Sequence, residues 1–244
     1  MAERLRIPMT YLDRETYHIF DDFEWFISPH RWTSLAADTN ATVTTDADGL
    51  GGILEIYTGD ATDNNEAAVR TTNEAFLPAP GKPWELEARL QYSEVNTDAS
   101  NICFGALDTM GAANTLRDDG AGPQTSFYGA MIAKLDGETK WRCYSSAGTL
   151  SSAGTNTQSQ TTAGGSSYQV LTIRGLPVGR SNVSEVTFFV DGVQLTDSNG
   201  RPIKHDMTHG AAGTGDLDVG AYAKAGGGSS QTLSVDYIYC AKKR

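Results

Sequence analysis

Trp84-Glu85-Leu86-Glu87-Ala88-Arg89-Leu90 alternates without a break: Trp84, Leu86, Ala88 and Leu90 take one parity, Glu85, Glu87 and Arg89 the other. A β-strand sends successive side chains to opposite faces, so this stretch reads as a strand with one face in a core and one in water. Outward from it the same period returns. Gly51-Gly52-Ile53-Leu54-Glu55-Ile56-Tyr57 and Asn101-Ile102-Cys103-Phe104-Gly105-Ala106-Leu107 read as further strands, closed by Thr58-Gly59-Asp60 and by Asp108. Two Asp-Gly dipeptides mark hairpins: Asp136-Gly137 between residues 131–135 and 138–144, and Asp191-Gly192 between residues 186–190 and 193–195. A two-residue turn with positive φ at both centres matches the strand twist, and Asp-Gly tolerates it best. Residues 217–224 and 231–240 are the last strands, joined by Gly226-Gly227-Gly228-Ser229-Ser230. No segment shows a helical period with start and stop signals. About a dozen short strands with frequent turns predict an all-β protein, a two-sheet antiparallel sandwich.

The chain has 244 residues, 39% hydrophobic and 20% charged, with 26 glycines in no collagen period. That is a globular composition, and sandwiches of this length commonly form one unit. The expected organisation is a single domain over residues 19–244 behind an N-terminal extension over residues 1–18. In the extension Leu5, Ile7 and Met9 alternate with polar residues, Pro8 interrupts, and Tyr11 and Leu12 follow. One reading is a loosely packed tail. The other is an assembly arm that adds a strand to a neighbouring subunit through Leu5, Ile7, Met9 and Tyr11. Residues 145–167 are nearly all Ser, Thr, Gly, Ala, Gln and Asn, which predicts an exposed loop or a weak edge hairpin. From the strand pattern, Trp84, Leu86, Leu90, Phe104, Phe188, Val190, Val235 and Tyr237 are the expected core.

Thirty acidic against nineteen basic residues give a formal charge of −11. Such a surface repels nucleic-acid phosphates and anionic membranes, so no nucleic-acid partner and no membrane insertion are expected. Apolar runs such as Val186-Thr187-Phe188-Phe189-Val190 are far too short to span a bilayer, and residues 1–16 lack the apolar core of a signal peptide. Cys103, Cys143 and Cys240 cannot all pair within the chain; one disulfide is compatible with the sequence, which does not choose a pair, and buried free thiols are the default.

Four groups of residues have chemistry to offer. Glu85 and Glu87 share a strand face at a separation suited to acid–base work on a glycosidic bond, but Arg89 beside them suits a charge-compensated solvated face better. Asp60, Asp63, Asn64, Asn65 and Glu66 form an oxygen-rich loop of the kind calcium prefers, without the spacing of a calcium loop. His205 and His209 flank Asp206, with no third zinc ligand and no helix to present them. Trp25, Trp32, Trp84 and Trp141 are the aromatic candidates for stacking. Trp84 alternates with core residues and Trp141 shares a face with Cys143, which leaves Trp25 and Trp32, around Pro29-His30, as the candidate glycan contacts.

At Val186-Thr187-Phe188-Phe189-Val190-Asp191-Gly192-Val193 the chain resembles the concanavalin-like lectin/glucanase, or laminin-G-like, superfamily, in which a strand ending in an aromatic, an aliphatic and Asp-Gly recurs late in the fold. Asp21-Asp22-Phe23-Glu24, Gly51-Gly52-Ile53-Leu54-Glu55-Ile56 and Val235-Asp236-Tyr237-Ile238-Tyr239 extend the resemblance over residues 19–241. It implies a jelly roll whose first and last strands pair. It implies no catalytic set, because the acidic runs Glu-x-Asp-x-x-Glu and Glu-x-Asp-x-Glu of the laminarinase-like members are missing from this sequence. Domains similar to this one occur as accessory modules on bacteriophage particles. The leading expectation is therefore a non-catalytic structural or adhesive virion subunit, a capsid decoration or head fibre. It would be assembled in the host cytoplasm as a homo-oligomer, a trimer, among other virion proteins, without a cofactor. The alternative is a carbohydrate-binding, lectin-like module for surface glycans, and a lesser one a glycoside hydrolase.

Overall fold

The strand Gln231–Lys243 runs beside Trp84–Glu94 along nearly its whole length, and the other strands are arranged around that pair. The computed structural model describes residues 15–46, 51–73, 76, 78, 81–94, 98–108, 110–111, 115–124, 127–147, 155–179, 182–208 and 216–244. In chain order the strands are β1 (Thr16–Asp21), β2 (Trp32–Ala36), β3 (Thr42–Thr45), β4 (Leu54–Tyr57), β5 (Glu66–Thr71) and β6 (Trp84–Glu94). Next come β7 (Ser100–Leu107), β8 (Tyr128–Lys134), β9 (Lys140–Ala147), β10 (Thr155–Thr162) and β11 (Gln169–Pro177). The last are β12 (Val183–Val190), β13 (Val193–Gln194), β14 (Lys204–Thr208), β15 (Asp218–Ala225) and β16 (Gln231–Lys243).

Nine strands form one sheet in the order β13-β12-β11-β6-β16-β4-β3, with β1 beside β16 and β14 beside β12; the other sheet has seven, β10-β9-β8-β7-β15-β5-β2. The ladders are antiparallel, as expected for the sandwich. First and last strands pair, from Thr16↔Lys243 to Asp21↔Ile238. Because β1 begins at Thr16, residues 16–18 belong to the sheet, and the boundary expected after residue 18 moves towards the N-terminus. Leu5, Ile7, Met9 and Tyr11 lie outside the described residues.

Alternation places Leu86, Ala88 and Leu90 of β6 and Phe188 and Val190 of β12 against Ile102 and Phe104 of β7 and Ile132 of β8. Each leucine, isoleucine, valine or phenylalanine so taken out of water contributes on the order of 1.5–3 kcal/mol. The expected core is buried except at Tyr237. The register of β16 on β6 shifts between Val235 and Tyr237, a β-bulge. One extra residue flips the parity, so Val235 points inward, Ile238 and Cys240 take over beyond the bulge, and Tyr237 is left half-exposed on the outer face.

Both hairpins form, with different turns. Asp191 and Gly192 have φ of 51° and 77°, the doubly positive turn expected, and Val190 faces Val193. At Asp136-Gly137 only Gly137 is positive, at 74°. Tertiary contacts hold Asp136 otherwise: its N–H donates to Asn101 Oδ1 at 3.0 Å, and the Gly137 N–H donates to Asp98 O at 2.8 Å. The polar segment 145–167 supplies β10, an edge strand on β9, as expected of a weak edge hairpin. Cys103, Cys143 and Cys240 are free and buried, and burial pushes each thiol up, that of Cys240 to about 12. They are inert at neutral pH.

His205 joins the sheets at this end. Its Nδ1 lies 3.1 Å from Ser145 Oγ of β9 and its Nε2 3.0 Å from Thr157 Oγ1 of β10, while the ring stands edge-on to Phe188 at 5.0 Å. Two hydroxyls satisfy the one donor and one acceptor of a neutral imidazole. Burial pushes its pKa from 6.5 down to about 4. Between those values the unfolded chain binds a proton that the folded chain does not. The contribution of His205 is therefore fully present above about pH 6.5 and is lost as the pH falls towards 4, about 3 kcal/mol in all.

Two outcomes follow. Urea titrations at pH 7 and pH 4.5 will show a smaller acid-induced loss of stability in His205→Gln than in the parent protein; equal losses refute the buried neutral imidazole. Ile238→Ala will cost about 2–5 kcal/mol of unfolding free energy and Tyr237→Ala less. The opposite order would mean that the bulge does not reset β16.

Candidate functional site

Residues 22–31 carry the chain from β1 in the nine-stranded sheet to β2 at the edge of the seven-stranded one, and this loop is tied down at several points. Phe23 is fully buried, with its ring 5.5 Å from Trp32 and 6.4 Å from Phe26. It adopts a φ of 56°, a conformation a bulky residue keeps only where its surroundings enforce it. Asp21 supplies part of that enforcement: Oδ1 accepts the Phe23 N–H at 3.0 Å, and Oδ2 accepts the Trp32 indole N–H at 2.8 Å and Arg31 Nη1 at 3.3 Å. Gly52, at φ 74°, lies so close that a Cβ there would overlap the backbone of Asp22 and Glu24.

With Phe23 and Phe26 turned inward, Trp25 and Ile27 face out, 84% and 69% exposed. The two candidate tryptophans therefore take different environments. Trp32 is 2% exposed and belongs to the core, which corrects its assignment as a glycan contact. A buried indole needs a partner for its N–H, and Asp21 provides one. Trp84 and Trp141 are buried as well, so Trp25 is the exposed indole of the four.

The central strands of the seven-stranded sheet are covered on their outer face. Ala68, Cys103, Met131, Tyr144 and Tyr222 on that face pack against Met110, Leu116 and Phe127 from the segment between β7 and β8. The same segment is tethered electrostatically: Lys224 Nζ donates to Asp118 Oδ1 at 2.6 Å and to Leu116 O at 3.3 Å. Tyr222 donates its hydroxyl proton to Glu66, whose pKa burial raises, with the Tyr222 bond and the nearby Lys224 acting in the opposite direction. Among the described residues this network fills the face where it lies. Sequence reasoning missed this second layer, although β7, β8 and β15 carry its signal. All three are buried at every position, and strands buried on both faces lose the strict alternation that marks a solvated face.

The other candidates are engaged in structural contacts. Glu85 pairs with Arg174, while Glu87 accepts the Tyr237 hydroxyl at 2.8 Å and the Thr172 hydroxyl at 3.1 Å. In the oxygen-rich loop Asp60 Oδ1 accepts Asn40 Nδ2 at 2.7 Å, Asp60 O accepts Asn65 Nδ2 at 3.2 Å, and Glu66 is taken by Tyr222. Among the described residues no three His, Cys, Asp or Glu side chains converge as a metal site would require. Both ring nitrogens of His205 are occupied by hydroxyls, and His209 lies outside the described residues.

No protein-family model and no curated protein matches the chain. Solved structures do. The endo-1,3-β-glucanase of Streptomyces sioyaensis is similar at 19% identity over 94% of this chain and 97% of that one, with a TM-score of 0.58. Basic winged bean lectin, crystallised with Tn-antigen, matches at 8% identity over 93% and 98%, TM-score 0.57. Peanut lectin matches at 12% identity over 94% and 98%, TM-score 0.56. At these identities the likeness is one of fold: the chain has the jelly-roll sandwich of the concanavalin-like lectins and glucanases.

Proposed function

We propose that the protein is a carbohydrate-binding, lectin-like module that presents Trp25 as its stacking platform. The observation that carries this reading is an indole held 84% exposed on a loop fastened by Asp21, Phe23 and Gly52. An exposed tryptophan on a rigid support costs little ordering entropy when a ligand covers it. A sugar ring has an apolar C–H face for the indole and hydroxyls for charged neighbours, which Glu24 and Arg31 supply at the exposed rim. The lectins and the glucanase with the same fold support the reading. The glycoside hydrolase alternative is weaker, because Glu85 and Glu87 are each committed to partners within the sheet.

Titration with a soluble β-1,3-glucan and with a Tn-antigen glycopeptide, followed by tryptophan fluorescence, will give a saturable change with at least one of them. Trp25→Ala will weaken that binding at least about tenfold, equivalent to 1.4 kcal/mol, without moving the melting temperature. Silence across a wider glycan panel, or undiminished binding by the variant, refutes the assignment.

A structural particle component is a separate proposal. In its favour residues 1–14 lead directly into β1, which lies beside the last strand of the nine-stranded sheet. The solved structures lend nothing to a bacteriophage virion, a trimer or capsid partners. Light scattering will report an oligomer that dissociates when residues 1–14 are removed, whereas a monomer in both forms ends this proposal.

A further inference from the structure

On the outward parity of the nine-stranded sheet one register row runs across five strands, with Thr172 within it buried beneath its neighbours. Phe20 of β1 stands opposite Tyr239 of β16, Tyr239 opposite Glu87 of β6, Glu87 opposite Thr172 of β11, and Thr172 opposite Phe189 of β12. From Tyr239 to Phe189 is three strand spacings, about 14 Å. Phe20 is 53% exposed, Tyr239 and Phe189 are half-buried, and Tyr237 lies against Phe20 at 5.7 Å between ring centres. Arginines complete the surface. Arg89 pairs with Asp236 and lies 4.2 Å over the Tyr168 ring, and Arg174 pairs with Glu85 and lies 4.9 Å over the Phe189 ring.

A merely solvated sheet face has no need of so many aromatic rings; aromatic side chains and arginine are the residues enriched where proteins bind something. We propose that this face is a second binding surface, which takes a neutral polysaccharide chain laid across the strands. The inference extends the carbohydrate reading, and it stands on residues that the Trp25 loop does not use. Charge selects the occupant. Glu55, Glu85, Glu87, Glu185, Asp206 and Asp236 outnumber Arg89, Arg174, Lys204 and Lys243 on the described strands of the face, and the whole chain carries −11. A second copy would bring like charges together, and an anionic polymer would be repelled. A neutral chain meets neither penalty. Its C–H faces pack on Phe20, Tyr239 and Phe189, and its hydroxyls meet the lone pairs and N–H groups that the paired carboxylates and guanidinium groups keep beyond their partners in the sheet. The bonds from Tyr237 and Thr172 to Glu87 hold the row in place before a ligand arrives.

Native electrophoresis through gels containing a soluble neutral β-1,3-glucan separates the two surfaces. Trp25→Ala will still be retarded. Adding Phe189→Ala and Tyr239→Ala will remove the remaining retardation, raising the dissociation constant at least about tenfold. Glu87→Gln, which keeps the shape of the row, will weaken it in part, and guards against a double variant that fails to fold. If Trp25→Ala alone abolishes retardation, the sheet face is not a binding surface and the Trp25 site stands. If only the face variants abolish it, the face stands and Trp25 is not the platform. Retardation by no neutral glycan removes both. If light scattering shows that the face variants convert an oligomer to monomers, the face joins copies of the chain and the glycan assignment is overturned.

Discussion

The nine-stranded sheet depends on the pairing of β16 with β6 and on the bulge that interrupts it. β16 is flanked along one side by two strands in succession: β4 pairs with its first part and β1 with its last. Between them the register on β6 slips by one residue at Asp236. Since side chains alternate with a period of two, that slip is what allows Leu233 and Val235 upstream and Ile238 and Cys240 downstream to face the same core. It also turns Tyr237 and Tyr239 outward together. Their rings, with Phe20 and Phe189, make the sheet's outer surface aromatic rather than simply polar.

The seven-stranded sheet meets a different constraint. Its central strands β7, β8 and β15 are buried on both faces, one by the inter-sheet core and the other by the segment between β7 and β8. Covering that face takes ionisable groups out of water. Lys224 is held by Asp118 and a carbonyl, and Glu66 by Tyr222, so the groups that would otherwise be costly to bury are paired. Such a network is weak evidence for added stability, since desolvation opposes the attraction between its charges. Its consequence is positional. With the centre of that face filled from within, Trp25 stands exposed at the rim and Phe20 on the outer surface of the other sheet.

A shared sandwich does not confer a shared activity, and glucanases and lectins with this architecture illustrate the point. What this chain can do is set by a few side chains added to that frame. The exposure of Trp25 follows from local ties: a carboxylate that gathers the Phe23 amide and the Trp32 indole, two phenylalanines turned inward, and a glycine that admits the loop backbone. Loops carried on a rigid scaffold are where binding residues usually sit, because the scaffold supplies position and the loop supplies variety.

By itself the sequence determined the fold class, the strand at residues 84–90, the doubly positive turn at Asp191-Gly192 and, within residues 145–167, a polar run suited to an exposed loop or a weak edge hairpin. Each is written in neighbouring residues: a period of two, a dipeptide that tolerates positive φ, a run too polar to be buried. Tertiary structure alone decided which tryptophan is exposed, because it is the packing of Trp32 against Phe23 and the reach of Asp21 to its indole that bury one and leave Trp25 outside. It decided the turn at Asp136, through Asn101 and Asp98, and the parity of Tyr237, whose hydroxyl bonds to a carboxylate 150 positions away. A periodic pattern is short-range information. It carries no mark of where an added residue shifts it or of which distant group a side chain will meet, and those contacts fix the surfaces a ligand could use.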